Sequence, residues 1–477
     1  MLYLILFIAL LLRLININQS LWLDEAINLN NVNALSFGDL IFKYSLSDFH
    51  PPLYHIILKG WSLIVPLSEF FARFLSVIFA VATVYVTYLI AKKLYEEKTA
   101  LIVALLLTTA PLHIYYSQEA RMYMMAAFFT SLSVYFFLKL LEKDNIKNWT
   151  GFIVATTLML YSDYLPYLMI PAYFFYILIF RKKISKNSLK GFIPAFLLIL
   201  FLIIPWLLIL PDQLKTGLSA ASASPAWSDV VGSSQIKDLG LSLVKFTIGR
   251  ISSDNNLIYA LLFAPAGIYV FLLFLLSLFR LSPKRLFLWV WLLFPLLSAF
   301  LISYFVPIFA YFRFIFVLPA FYLIWASAIN TVNINKITVP LLLFATSINL
   351  ISTFIYYLNP KFQRENWRDA VSYIHQNAKE NSIVLFESNY TTGPFDYYNN
   401  GMVEASGGLD SFSADSEQVK ENVENLTKTK DQVFLFQYLS GVTDPNGILF
   451  EEIINKGFKN TSTVDFAGVG FVYEFNR

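Results

Sequence analysis

The chain has 477 residues, of which 57% are apolar and 14% charged, whereas an ordinary soluble domain is about half apolar and about a quarter charged. It has no cysteine, which excludes disulfides, thiolate metal sites and cysteine nucleophiles. Its formal net charge is only +3 and no basic stripe is present, so no nucleic-acid partner is expected. The composition predicts a membrane protein.

Apolar runs long enough to cross about 30 Å of hydrocarbon recur along the first three quarters of the sequence. We therefore predict an α-helical polytopic membrane protein with about eleven transmembrane helices. The predicted spans are Met1–Ile17, Glu69–Ala91, Ala100–Tyr116, Tyr123–Leu141, Trp149–Tyr161, Leu165–Phe180, Phe192–Leu210, Leu257–Phe279, Leu286–Phe305, Tyr311–Ile329 and Ile337–Leu358. The first run has no basic n-region or small-residue cleavage site, and Arg13 interrupts it, so we expect a retained helix instead of a signal peptide.

Lysine and arginine are concentrated in alternate loops, which predicts the orientation because such loops stay in the cytoplasm. The basic positions are Lys92, Lys93, Lys98, Lys143, Lys147, the cluster from Arg181 to Lys190, Arg280, Lys284, Arg285 and Lys336. The outer loops 18–68 and 211–256 and the tail then share the opposite side. We expect a multi-pass plasma-membrane protein with these parts outside the cytoplasm.

The sequence divides into a membrane part, residues 1–358, and a tail, residues 359–477, in which charged residues are common and apolar runs have strand length. The tail predicts a small extracytoplasmic α/β domain. Its predicted elements are a helix Asn366–Asn377, strands Ser382–Glu387 and Gln432–Gln437, a helix Gly447–Lys456 and a closing hairpin Thr463–Phe475. Because the first helix follows the last span closely, we expect the tail to rest on the outer mouth of the membrane part.

The first candidate site follows the first span, where Asp24 and Glu25 are adjacent in the segment Leu21–Ala26. Two adjacent carboxylates beside Trp and Leu supply a general base if partial burial and mutual repulsion raise one pKa. The same residues also fit a loop helix, with Asp24 as its N-cap and Glu25 in its first turn. The pattern leaves both interpretations open.

The second candidate site is the segment Asp48–His55, in which His50 precedes two prolines. The prolines stiffen the backbone before a helix and so fix the direction of His50, which suits a metal, a carboxylate or a sugar hydroxyl. A plain turn into an interfacial helix, with Tyr54 and Trp61 as aromatic anchors, explains the same pattern. Taken alone, the segment slightly favours the plain turn.

The third candidate site is the short outer loop around Glu119 and Arg121, in the segment Tyr115–Tyr123. A loop this short holds both charges at the membrane surface, where a guanidinium binds an anionic headgroup in bidentate fashion. An ordinary interfacial loop is the alternative. The fourth is Arg313, which opens an apolar helix in Tyr311–Phe314 and either snorkels or holds a phosphate.

In this order, the segments Leu23–Glu25, His50–Tyr54, Ser117–Tyr123 and Tyr311–Phe314 resemble motifs of the superfamily C (GT-C) membrane glycosyltransferases. The resemblance is greatest to the branch of protein O-mannosyltransferases and aminoarabinose transferases, of the glycosyltransferase family 39 type. It covers the membrane part, is strongest over about the first 140 residues, and leaves the tail unassigned.

The resemblance implies transfer of a sugar from a polyprenyl-phosphate carrier to an acceptor outside the cytoplasm. It implies that Asp24 is the catalytic base with Glu25 beside it, and that Glu119 lines the same cavity. Arg121 and Arg313 become candidates for the carrier phosphate. We assign His50 and Tyr123 to substrate binding with them. We expect the tail, at the outer mouth, to select the acceptor instead of catalysing transfer.

The chemistry of such a reaction suits these residue types. Attack on an anomeric carbon passes through an oxocarbenium-like transition state, so a carboxylate that deprotonates the acceptor helps, and arginines stabilise the departing phosphate. Single displacement with inversion is what one base and a lipid-phosphate donor would give. The expected partners are the polyprenyl-phosphate sugar, membrane lipids, and a glycan, lipid or protein acceptor.

Two further expectations concern cofactors and an alternative function. The sequence requires no cofactor; some relatives bind a divalent metal, but the four histidines here lack the histidine–carboxylate spacing of a metal site. A transporter or flippase of a lipid-linked sugar would also need many spans and interfacial arginines. Transporters, however, place ionisable sites near the bilayer midplane, whereas these candidates lie on one side.

Overall fold

We describe a computed structural model of the chain over residues 1–223, 232, 235–279, 282–331, 335–409 and 416–477. A helical bundle ends at residue 358, and a small sheet with flanking helices follows it. The α-helices of the bundle and its outer loops are Leu2–Leu14, Leu23–Ala34, Phe37–Asp39, Ser45–Ser47, Leu53–Ser62, Glu69–Leu94, Glu97–Thr109, Pro111–Ser117, Tyr123–Leu140, Ile146–Ser162, Met169–Phe180, Lys186–Leu207, Leu210–Ala223, Ile236–Ile248, Asn256–Phe279, Pro283–Ile302, Leu318–Thr331 and Asn335–Leu358. A π-helical turn lies at Leu40–Tyr44, and 3₁₀ turns lie at Leu165–Leu168, Arg181–Lys183, Tyr311–Val317 and Pro360–Phe362.

The long spans form where apolar runs carry matched end signals. In Glu69–Leu94 the Ser68 side chain accepts a hydrogen bond from the Phe71 N–H at 3.4 Å, which caps the first turn. Glu69 lies in that first turn, and Lys92 and Lys93 lie in the last, so both ends complement the helix dipole. Sequence signals of this kind place the helix where the apolar run predicts it.

The multi-pass architecture is confirmed, but the number of spans is not fixed. Six helices within the described ranges are long and apolar enough to cross a membrane, or seven if one bent pair counts as a single span. The bent pair replaces the continuous helix predicted over Ala100–Tyr116: Glu97–Thr109 and Pro111–Ser117 meet at 58°. Pro111 causes the break because a proline disfavours helical backbone at the residue before it. The predicted spans Trp149–Tyr161 and Leu165–Phe180 correspond to helices of 17 and 12 residues.

The loops separate into two ends of the bundle. At one end, Gln213 donates to the Asp48 carbonyl at 2.7 Å, and Lys361 pairs with Asp254 at 2.6 Å. These contacts join the loops predicted to be outer, 18–68 and 211–256, to the tail. At the other end, Lys93 pairs with Glu142, and both lie in segments predicted to be cytoplasmic. Arg280 of the cytoplasmic set lies outside the described residues.

The absolute orientation is the first testable prediction. Single cysteines at Ser36 and Lys428, which are exposed at the outer end and on the tail, should react with an impermeant maleimide in intact cells, since the chain has no cysteine of its own. A cysteine at the exposed Lys182 should react only after the membrane is opened. The reverse labelling pattern would place the candidate site in the cytoplasm and contradict the orientation derived from the basic loops.

The tail contains a five-stranded sheet, whose strands are β1 (Ser382–Phe386), β2 (Ala405–Gly407), β3 (Gln432–Phe436), β4 (Lys459–Phe466) and β5 (Gly470–Asn476). Their order in the sheet is β2-β1-β3-β5-β4. Strands β1, β2 and β3 are parallel, and β5 is antiparallel to both β3 and β4. The helices of the tail are Trp367–Asn377, Gly393–Asn399, Ser416–Thr427, Ser440–Thr443 and Ile448–Asn455, with a 3₁₀ turn at Asn389–Thr391.

The tail packs on the first outer loop as well as on itself. Leu23 belongs to the same apolar cluster as the buried Trp367 and Phe436. Gly393 lies so close to helix Leu23–Ala34 that an added Cβ would be 2.6 Å from Cγ1 of Ile27. The tail therefore holds the helix that carries Asp24 and Glu25.

Candidate active site

Helix Leu23–Ala34 turns its two acidic residues in different directions. Trp22 is the N-cap, so Asp24 lies in the first turn and is not the cap. Glu25 is fully buried and forms a bidentate ion pair with the equally buried Arg73, at 2.8 and 2.6 Å. It also accepts the Ala120 N–H at 2.7 Å. Glu25 is thus engaged inside the protein, and the loop-helix interpretation describes it better than the general-base interpretation.

The electrostatics of Glu25 differ from the expectation of mutual repulsion. Burial alone would raise the pKa of its carboxyl, but the charge and hydrogen bonds of Arg73 outweigh burial and lower this pKa below its ordinary value. Glu25 is thus ionised at neutral pH as one half of a buried ion pair. The sequence does not reveal this pair, because Arg73 lies within an apolar span and is distant in sequence.

Asp24 lies in a different environment, with its side chain one-third exposed (33%). A terminal nitrogen of Arg121 is 3.5 Å from its carboxylate, and the same nitrogen is 3.4 Å from Nδ1 of His50. The structure therefore brings together Asp24 and His50, from two parts of the first outer loop, and Arg121, from the second. Nε of Arg121 is buried without a hydrogen-bond partner among the described residues.

The carboxylate of Asp48, which was not assigned a role from the sequence, orients His50. Asp48 approaches His50 Nδ1 at 3.3 Å and His55 Nε2 at 2.9 Å. Burial raises the pKa of Asp48, but the two histidines lower it well below its ordinary value. Pro52 is the N-cap residue of helix Leu53–Ser62, so the two prolines precede a helix as the sequence predicts. The His50 side chain thus has a fixed direction. Tyr54 is buried, so it does not act as an aromatic anchor at the membrane surface.

Glu119 is buried and pairs with an arginine from the tail instead of with Arg121. Arg364 Nη1 is 2.8 Å from its Oε2, and its Oε1 has no hydrogen-bond partner among the described residues. Burial raises the pKa of Glu119 despite the nearby arginine. Glu119 thus forms a buried ion pair with the tail, two residues before Arg121 in the same loop, and its assignment to the substrate cavity stays a prediction.

Aromatic rings form a wall between Arg121 and Arg313. The centroid of the Tyr123 ring is 5.1 Å from that of Tyr116 and 5.9 Å from that of Phe312. Arg313 follows Phe312 in the 3₁₀ turn Tyr311–Val317 and donates to the Ile308 carbonyl at 3.4 Å. Its guanidinium makes no ion pair within 4.0 Å to a described carboxylate, so it has capacity to bind an anion.

Asp163 is a site residue that the sequence analysis missed. It ends helix Ile146–Ser162, is buried, and accepts the Tyr164 N–H at 2.6 Å. Burial raises the pKa of its carboxyl, although the charges of His50 and Arg313 oppose this. The available signal was a single carboxylate between two apolar runs on the predicted outer side.

A second cationic group lies next to this site. Arg250 donates to the Tyr115 hydroxyl at 2.7 Å, and Arg364 lies 4.0 Å above the Tyr115 ring. Burial, helped by the Arg250 charge, lowers the pKa of Lys245 to about 8. Arg250, Arg364 and Lys245 thus add positive charge to this outer region, and Glu119 pairs with one of them, Arg364. Among the described residues, no three histidine or acidic side chains are arranged to hold a metal ion.

The fold and the site together define a multi-pass membrane protein in which the polar side chains of Asp24, His50 and Arg121 meet at one end of a bundle of apolar helices. The family model described as dolichyl-phosphate-mannose-protein mannosyltransferase matches residues 49–209, the region that contains His50, Glu119, Arg121 and Asp163. No curated protein sequence matches the chain.

Solved structures of similar fold extend over the whole chain. ArnT from Cupriavidus metallidurans in the apo state has 11% sequence identity and a TM-score of 0.56, covering 99% of this chain and 97% of that one. The same protein bound to undecaprenyl phosphate has 12% identity, a TM-score of 0.56 and the same coverage. AglB, an oligosaccharyltransferase from Archaeoglobus fulgidus in complex with an inhibitory peptide and a dolichol-phosphate, has 12% identity and a TM-score of 0.58, covering 99% of this chain and 74% of that one.

The solved structures show that the chain shares the fold of ArnT and AglB. The family model over residues 49–209 agrees with the resemblance drawn from the four ordered motifs.

Proposed function

We propose that this protein transfers a sugar from a polyprenyl-phosphate carrier to an acceptor hydroxyl at the outer face of the membrane, with inversion at the sugar. The observation that supports this most is the contact of Asp24, one-third exposed (33%), with the guanidinium of Arg121 at one end of an apolar bundle. A carboxylate beside a guanidinium at this end would supply a base next to an anion-binding group, where a lipid phosphate and a water-borne acceptor can meet.

The donor side of the proposal rests on the arginines. Arg121 and Arg313 flank the Tyr123 and Phe312 rings, so a phosphate between them would have its isoprenoid chain in the apolar bundle and its sugar against the aromatic wall. ArnT is known with undecaprenyl phosphate and AglB with a dolichol-phosphate, which supports a polyprenyl phosphate as the ligand class here. Arg250 is a third cation at the same end.

The acceptor side rests on Asp24. Its carboxylate accepts the proton of the acceptor hydroxyl as the oxygen attacks the anomeric carbon, and the sugar–phosphate bond breaks as the new bond forms. The leaving phosphate retains the electron pair, and Arg121 and Arg313 stabilise its growing charge. His50, oriented by Asp48, is in reach of Arg121 and would contact the phosphate or a sugar hydroxyl.

Transfer of labelled sugar in detergent tests this proposal against the transporter alternative. In detergent no compartment exists, so a transporter produces no covalent product. The purified protein, given a radiolabelled polyprenyl-phosphate sugar and a membrane extract as acceptor, should release free polyprenyl phosphate and label the acceptor. Binding of the donor without any transfer would favour the transporter.

A second prediction concerns the arginines assigned to the phosphate. Arg121→Lys and Arg313→Lys should each weaken donor binding by on the order of 1–3 kcal/mol, because lysine cannot make the bidentate contact. Thermal stability should change little, since a positive charge remains near Asp24. Binding of fluorescent polyprenyl phosphate measures the effect.

Arg181→Lys is the matched control, because Arg181 is exposed at the opposite end of the bundle. It should bind the probe like the wild type. Normal binding by both outer-end variants would show that the phosphate lies elsewhere, and Arg250 would be the next residue to test.

A further inference from the structure

The segment between the last span and the sheet inserts one side chain into the membrane part. Arg364 Nη1 pairs with Glu119 Oε2 at 2.8 Å, and the two side chains are only 3% and 2% exposed. The guanidinium also stacks on the Tyr115 ring, 4.0 Å from its centroid. The backbone N–H of Arg364 donates to the Gln19 side chain at 2.7 Å, so the segment is fixed to the first outer loop as well.

These contacts hold the loop that presents Arg121. Nη2 of Arg364 donates to the carbonyls of Tyr115 and Gln118 at 3.3 and 3.4 Å. From the opposite side, Glu25 accepts the Ala120 N–H at 2.7 Å. Residues 118–120 are therefore held from two sides, by the tail and by the first outer loop, immediately before Arg121.

Because the Arg364–Glu119 pair is buried, loss of Arg364 should disturb the loop that carries Arg121. With Oε1 of Glu119 unpartnered among the described residues, Arg364 supplies the nearest compensation for a carboxylate inside the protein. Removing one member of a buried ion pair leaves the other uncompensated, so the surrounding backbone rearranges or the carboxyl takes up a proton. Either response shifts the loop from which the Arg121 guanidinium extends to Asp24 and His50.

We propose that Arg364 is a positioning residue for the donor-phosphate site, acting through Glu119 and the Gln118 carbonyl on the loop that ends at Arg121. This inference rests on the proposed function and deepens it. It gives the tail a part in donor binding, which differs from the expectation that the tail acts on the acceptor alone.

Binding of a fluorescent short-chain polyprenyl phosphate to the full-length protein tests the proposal. Arg364→Gln should weaken the affinity for the probe by about tenfold, the range in which a positioning contact modulates a binding site. Arg364→Lys keeps a charge near Glu119 and so protects the fold, but it cannot reach both carbonyls and should lose affinity in the same direction. At saturating donor, the rate of transfer should recover, because Arg364 does not touch the reacting atoms.

Lys361→Gln is the matched control. Lys361 lies in the same segment but pairs with Asp254 at the surface, where the two side chains are 51% and 92% exposed. It should bind the probe like the wild type.

Hydrogen exchange separates this inference from the proposed function. Peptides covering residues 118–123 should exchange faster in Arg364→Gln and Arg364→Lys than in the wild type and in Lys361→Gln. Unchanged exchange and affinity in both Arg364 variants would overturn the positioning role. If the wild type itself fails to bind the probe while the exchange effect is present, the proposed donor is wrong and the loop contact stands.

Discussion

Asp24→Asn is expected to lower the turnover of sugar transfer by about 10² to 10⁴, the usual contribution of a general base. The asparagine amide keeps the size of the side chain but accepts no proton from the acceptor hydroxyl. Donor binding should stay near the wild-type level, because Arg121 loses only a partner at 3.5 Å and remains free for the phosphate. Single-turnover transfer from a labelled donor, measured beside donor affinity, separates the two effects.

Asp254→Asn is the control for this experiment. Asp254 lies at the same end of the bundle, with its side chain 92% exposed and paired with Lys361. The substitution is chemically identical but distant from the arginine–histidine cluster, so its turnover should equal that of the wild type. Turnover in Asp24→Asn within a few-fold of that control would remove Asp24 from the mechanism.

The sequence predicts the membrane architecture well where one signal is sufficient. A long apolar run with matched ends, such as Glu69–Leu94, requires no tertiary information. The bend at Pro111 also has a local cause in the sequence. It could not be predicted, because a proline within an apolar run fits a continuous span equally well. In the tail, the buried strands Ser382–Phe386 and Gln432–Phe436 lie at the predicted places, whereas the three-residue strand Ala405–Gly407 is too short for any periodicity.

The candidate site was predicted only in part, because pairs of buried charges that are distant in sequence cannot be read from the sequence. Asp24, His50 and Arg121 lie in outer loops, so a one-sided topology already brings them to the same end, and the structure places them in contact. The partners of buried charges cannot be found in this way. Arg73 and Arg364 are far in sequence from the carboxylates they neutralise, and only the folded chain shows that Glu25 and Glu119 are engaged by them.

Loss of the Glu25–Arg73 pair should have the largest effect on stability. Glu25→Gln and Arg73→Gln should each lower the free energy of unfolding by about 3–5 kcal/mol, because each leaves a buried charge without its partner. Arg73→Gln should be the worse of the two, since Arg73 also donates to the carbonyls of Ile17, Gln19 and Ser20. The measurement is thermal unfolding of the purified protein in detergent.

The pH dependence of the same experiment identifies the cause. Folding lowers the pKa of Glu25, so its contribution to stability is present above the unfolded-state pKa and is lost as the pH falls through the folded-state pKa. The difference in unfolding temperature between the wild type and Glu25→Gln should therefore be large at neutral pH and shrink in acid. Arg368→Gln breaks the half-exposed pair with Glu69, at 2.6 Å, and should cost no more than about 1 kcal/mol. Equal destabilisation by Arg368→Gln and Arg73→Gln would show that burial does not set the strength of these pairs. A purely structural role for Glu25 would then lose its support.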